Sequence, residues 1–220
     1  MKKKILLITG LFISTISFAQ RISFGASAGV SVYNMRGDAV NNIKQLLDFT
    51  NDIVTAKPVT GFYGGGYTNI PLMNNLSVEP GIYYSQKGYE IGGSYTFKDI
   101  EILTANASAR LRTSYIELPV LLKANFNGLQ VFAGPQISYL ANAKLNTSAS
   151  VAGFNLMNKS FDVTNQFNNW DMGVTGGIGY QFANGVRITG AYDRGLSKVD
   201  AGKNAASYNQ GFKIGAAFSL

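Results

Sequence analysis

The 220-residue chain contains no cysteine and no histidine. The first absence excludes disulfides, thiolate nucleophiles and thiolate metal ligands. The second excludes Ser-His and Cys-His pairs, histidine metal sites and a histidine general base. No serine is followed three residues later by lysine, so the Ser-Lys alternative lacks its signature. Charge is also sparse, with 14% Asp, Glu, Lys and Arg and no basic cluster able to track phosphates. Nucleic acid is therefore not an expected partner. Glycine-rich GFYGGGY (61–67) and GGIG (176–179) lack the lysine and the strand-turn-helix setting of a phosphate loop, so no cofactor is expected. Nor is an enzyme.

Long apolar runs are missing too. The longest, Ile5 to Phe18, is shorter than the ~20 residues a membrane-spanning helix needs. It follows Met1-Lys2-Lys3-Lys4 and leads to Ser17-Phe18-Ala19-Gln20, the pattern of a secretory signal peptide. The expected division is a signal peptide, 1–19, cleaved after Ala19, and one domain, 20–220. Losing three lysines leaves 16 basic residues against 12 acidic, a net charge of +4. With no cysteine after the run, a lipid anchor is excluded.

What the chain has in quantity is glycine (25), phenylalanine (14) and tyrosine (12). Aromatics favour strands, and periodic glycine and aromatic residues are common in barrels. The stretch YIELPVLLKANFNGLQVFAG, 115–134, shows how they are used. Ile116, Leu118, Val120, Leu122 and Phe126 fall on one face, with Glu117, Pro119 and Lys123 on the other. Asn127-Gly128 is a strong hairpin signal, because both residues tolerate positive φ. If the apolar face meets lipid, Glu117 and Lys123 point into a barrel interior.

The same period of two recurs in eight segments, near 22–33, 58–70, 76–90, 111–126, 129–141, 168–182, 186–194 and 208–220. Three short turns (71–75, 127–128, 183–185) alternate with four long connections (34–57, 91–110, 142–167, 195–207). Short turns on one side and long loops on the other fit a barrel with periplasmic turns and external loops. Closure satisfies every backbone polar group, so strands can cross a bilayer without a spanning helix. The fold class is all-β: an eight-stranded antiparallel up-and-down transmembrane β-barrel. A short helix is expected in the first external loop, where Ile43, Leu46, Leu47, Ile53 and Val54 fall at helical spacing after Asp38. Loop 142–167, rich in Asn, Ser and Thr, is expected to be mobile.

Two residue sets follow. Glu79, Lys87, Glu117, Lys123, Asp171, Arg187, Asp193 and Lys213 form a lumen charge network, with Arg112 added near a strand end. An eight-stranded barrel has an interior just wide enough for its own side chains, so these charges must pair. Ile116, Leu118, Val120, Leu122, Phe126, Trp170, Tyr180, Phe182 and Phe218 face lipid or form interfacial girdles. Tyr33, Tyr67, Tyr84, Tyr89, Tyr115, Tyr139, Tyr192 and Tyr208 sit near strand ends and are expected in the same girdles. A soluble binding barrel of lipocalin type would reverse the two faces.

LSVEPGIYYSQKGYE (76–90), SYIELPVLLKANF (114–126), LQVFAGPQISYL (129–140), YDRGLSKVD (192–200) and NQGFKIGAAFSL (209–220) resemble the outer-membrane β-barrel domain common in Bacteroidetes, the PorT-like or "porin family" group. The likeness covers 21–220, and YIELPVLLK is its most specific motif. It implies an eight-stranded barrel in the cell outer membrane, in contact with outer-membrane lipid. Some members assist a secretion machine and others are called porins. The last strand, with Phe218 and Leu220, looks like a signal for the barrel-assembly machinery. The expected function is a barrel with a plugged or very narrow lumen that presents loops or docks an envelope or secretion partner. Passive passage of small solutes or ions is the alternative.

Overall fold

The computed structural model describes residues 22–37, 54–96, 104–152, 154–201 and 206–219. The expected signal peptide and residues 38–53 of the expected helix lie outside them. Val54 is not helical; it opens a strand.

Among the described residues nine strands form: β1 (Ser23–Arg36), β2 (Val54–Met73), β3 (Leu76–Thr96), β4 (Thr104–Phe126), β5 (Leu129–Val151), β6 (Phe154–Asp162), β7 (Trp170–Gln181), β8 (Val186–Gly195) and β9 (Tyr208–Ser219). Eight close into an antiparallel ring in the order β1-β2-β3-β4-β5-β7-β8-β9, sealed by pairing of β9 with β1. Strand β6 stands outside the ring and pairs with the far half of β5.

Turn chemistry sets one end. Asn127 and Gly128 both have positive φ, 52° and 94°, as the two-residue hairpin requires. Asn125 Oδ1 accepts the Gly128 N–H at 3.0 Å and fixes the strand end. Gly185 at φ 84° turns β7 into β8. The turn between β2 and β3 narrows to Asn74-Asn75, because the strand runs through Pro71 to Met73.

The interior is polar and the exterior apolar. Val120 is 47% exposed and Ile178 61%, whereas Glu117 is 1% exposed. This places Val120 outside and Glu117 inside, opposite to a soluble binding barrel. On β4 the apolar outer face runs from Ile116 to Phe126, and on β5 from Leu129 to Tyr139. Each span is 11 residues, within the ~9–11 that a tilted strand needs to cross a bilayer. Aromatic pairs mark the belt's two margins. Phe62–Tyr84, Tyr139–Trp170 and Tyr192–Phe212 lie toward the long loops, with ring centroids 5.5, 5.1 and 4.8 Å apart. Tyr180–Phe182, at 5.1 Å, lies toward the short turns.

The strands run well past the expected limits of 90, 111 and 141, and the supposedly mobile 142–167 holds the end of β5, the whole of β6 and a 3-10 turn at Thr164–Gln166. Beyond the belt the polarity inverts. Arg110 and Ser108 on β4 face outward and bond to Glu90 and Ser148, at 2.6 and 2.9 Å. Leu111 and Leu145 turn inward onto Tyr115, Leu140 and Ala143. The period of two persists, but with apolar side chains inside, as in water. A search for apolar-out alternation ends where the belt ends.

Candidate functional site

All eight charges expected in the lumen are buried. Even spacing keeps those on one strand on one face: Glu79 and Lys87 on β3, Glu117 and Lys123 on β4, Arg187 and Asp193 on β8. Asp171 comes from β7 and Lys213 from β9.

They form two groups. Toward the short turns, Glu79 receives Lys123 at 2.5 Å and Arg187 through two bonds, 2.8 and 3.0 Å. Gln130 Oε1 accepts from Arg187 at 3.3 Å, and its Nε2 donates to Gln181 at 2.8 Å. Toward the long loops, Lys213 bridges Glu117 at 2.5 Å and Asp193 at 2.7 Å. Lys87 lies 3.0 Å from Glu117 and 3.6 Å from Asp171. Asp171 also accepts from Asn209 at 2.8 Å and Ser197 at 3.1 Å.

Strands β1 and β2 contribute tyrosines in place of charges. Tyr33 donates its hydroxyl proton to Asp193. The Tyr115 and Tyr67 rings lie 4.7 Å from the cationic heads of Lys87 and Arg187. Such contacts favour a cation taken out of water. Tyr33, Tyr67, Tyr89 and Tyr115 are therefore interior residues, correcting the girdle assignment. Room for Tyr33 comes from Gly211, directly opposite on β9, where a Cβ would lie 2.5 Å from the ring.

Arg112 does not join the network. Alternation along β4 puts it outside with Arg110, half-buried, opposite Gly88 and Lys144. Leu118, Val120, Leu122, Phe126, Trp170, Tyr180, Phe182 and Phe218 are exposed on the outer face, and Ile116 is half-buried there.

Four carboxylates face four cations, so the network is neutral as a whole. It is nevertheless polarised. The group near the short turns holds one carboxylate and two cations; the other holds three carboxylates and two cations. Between them lies a cavity of about 70 Å³, lined by Tyr63, Tyr83, Phe132 and Gln136 with Glu79 and Glu117, large enough for a few ordered waters.

Over the second group sits an apolar cap. Val199, Met35 and Tyr89 pack with Phe167, and Val163 packs on Tyr115, Leu140 and Ala143. Asn168 ties the two loop segments together, donating its Nδ2 to Lys198 O at 2.8 Å and Asp200 O at 3.1 Å and its N–H to Val199 O at 2.9 Å. At the edge of the cap Asp162 accepts the Thr164 N–H at 2.9 Å, which holds its carboxyl below the ordinary range. Sequence reading missed Val163, Phe167 and Val199, because they follow no strand period.

The model of the family described as outer membrane protein beta-barrel domain matches residues 18–201. The chain belongs to that family. This outer-membrane β-barrel is similar to Neisserial surface protein A, at 12% identity over 91% of this chain and 100% of that one, with TM-score 0.48. It is also similar to Ail, the attachment invasion locus protein of Yersinia pestis, at 11% identity over 91% and 100% of the chains, TM-score 0.43. For the outer membrane protein OprG from Pseudomonas aeruginosa the figures are 10% identity, 90% and 95% coverage and TM-score 0.44. Comparison with curated proteins gave no match.

Proposed function

We propose that this outer-membrane barrel is a structural and interaction protein, plugged by its own side chains, that presents its long-loop end to an envelope or secretion partner. The observation that carries the reading is the interlocked ion network. Two of its bridges run between strands on opposite sides of the ring, Glu79–Arg187 from β3 to β8 and Glu117–Lys213 from β4 to β9. Removing one member of a buried pair leaves an uncompensated charge, so opening a path means breaking several pairs together. The cap of Val163, Phe167 and Val199 adds an apolar barrier at one mouth.

The display role is supported by the strands that continue past the lipid belt. Pairing of β2 with β3 reaches Val54, and that of β4 with β5 reaches Val151, giving β6 a rigid base. Within this reading residues 1–19 are a signal peptide cleaved after Ala19, the barrel-assembly machinery inserts the domain, and the chain is a PorT-like member of its family. It carries no catalytic step. Liposome swelling tests the plug. Vesicles holding the folded barrel should swell no faster in arabinose or potassium chloride than empty vesicles; faster swelling would favour porin-like passage.

A further inference from the structure

We infer that the mouth at the short-turn end is a binding site for a small oxyanion, taken from the aqueous phase it opens to. A vestibule of about 180 Å³ lies there; among the described residues its lining includes Lys123 and Arg187 and no Asp or Glu side chain. The carboxylate that pairs with both cations, Glu79, lines the inner cavity instead. An incoming ligand therefore meets two cations with their shared counter-ion behind them, a local excess of one positive charge.

The donors are only partly used. Lys123 has three N–H groups and gives one to Glu79. Arg187 is 5% exposed, yet its Nε has no hydrogen-bond partner, and a buried donor of this kind is normally satisfied. Around them stand the neutral hydroxyls and amides of Ser23, Ser77, Gln130 and Gln181, which can donate as well as accept. Asn69 Oδ1 also lacks a donor, and a half-turn of its amide offers NH₂ instead. Cationic fork, ammonium and amides, with one carboxylate behind two cations, make a receptor for phosphate, sulfate or a short carboxylate.

The site reaches inward as far as the Glu79 triad and does not depend on whether the lumen conducts. Its test is a titration of the ¹⁵N-labelled folded barrel, in octyl glucoside, with sodium phosphate at constant ionic strength. The Gln130 and Gln181 side-chain amide resonances should shift and saturate. Lys123→Gln should weaken the phosphate affinity at least tenfold. Should that variant not fold, Asn125→Asp carries the test, because aspartate keeps the acceptor for the Gly128 N–H while adding a negative charge to the vestibule wall. It too should weaken binding at least tenfold. Shifts that grow without saturating, or saturable binding that Asn125→Asp leaves unchanged, would overturn the assignment.

Discussion

Arg187 on β8 holds Glu79 on β3 through two bonds, Nη1 to Oε2 at 2.8 Å and Nη2 to Oε1 at 3.0 Å. The two strands lie four places apart in a ring of eight, so this fork spans the barrel. It fixes the distance between opposite walls, which neighbouring backbone pairing alone does not.

Glu79→Gln should therefore be costly. It removes the counter-charge of both Lys123 and Arg187, and breaking such a buried set costs roughly 3–5 kcal/mol. Urea unfolding in detergent micelles should show that loss. Adding Lys123→Gln should restore part of it, since one stranded cation is then gone.

The lipid face makes a separate prediction. Val120→Arg places a cation within the apolar belt and should cost about 2–4 kcal/mol of folding in a bilayer. Asn106→Arg, on the exposed outer face beyond the belt, should cost close to nothing. Refolding yields into vesicles, read from the heat-shifted gel band, would compare the two.

Close packing in the lumen can be tested at Gly81. A Cβ there would sit 2.5 Å from Tyr83 Cε2, with its next neighbour, Gly66 O, at 3.2 Å. Gly81→Ala should destabilise by about 1–3 kcal/mol through overpacking. In a Tyr83→Ala background the same change should cost far less. A double-mutant cycle in urea measures the difference.

The cap should behave as a local unit. Asn168→Ala removes two side-chain bonds that join the segments around Phe167 and Val199. Limited proteolysis should then cut within 163–169 or 196–201 faster, while the melting temperature of the barrel stays within a few degrees of the parent.

Much of this was legible in the sequence, and the reason is the period of two under a bilayer. Glu117 and Lys123 could be placed inside because Leu118, Val120 and Leu122 alternate with them and need lipid. The same logic failed where its premise ended. Ala105 to Arg110 and Ala143 to Ala149 alternate with the opposite polarity, and so read as loop. Tyr33 and Tyr115 near strand ends matched a girdle by position, yet strand parity puts them with Ser31 and Glu117 inside. Arg112 shows the converse, a charge that parity sends outward. The cap residues Val163, Phe167 and Val199 come together through loop hydrogen bonds that no periodic pattern announces.

The central claim is that the interior charges fill the barrel and do not form a conduit. Single-channel recording of the folded barrel in planar bilayers tests it most directly, beside Glu117→Gln, which removes the carboxylate shared by Lys87 and Lys213. The account predicts an electrically silent parent barrel whose heat-shifted band confirms folding, and a Glu117→Gln variant that is less stable. Reproducible current steps in the parent, with an ion preference that changes in Glu117→Gln, would contradict it.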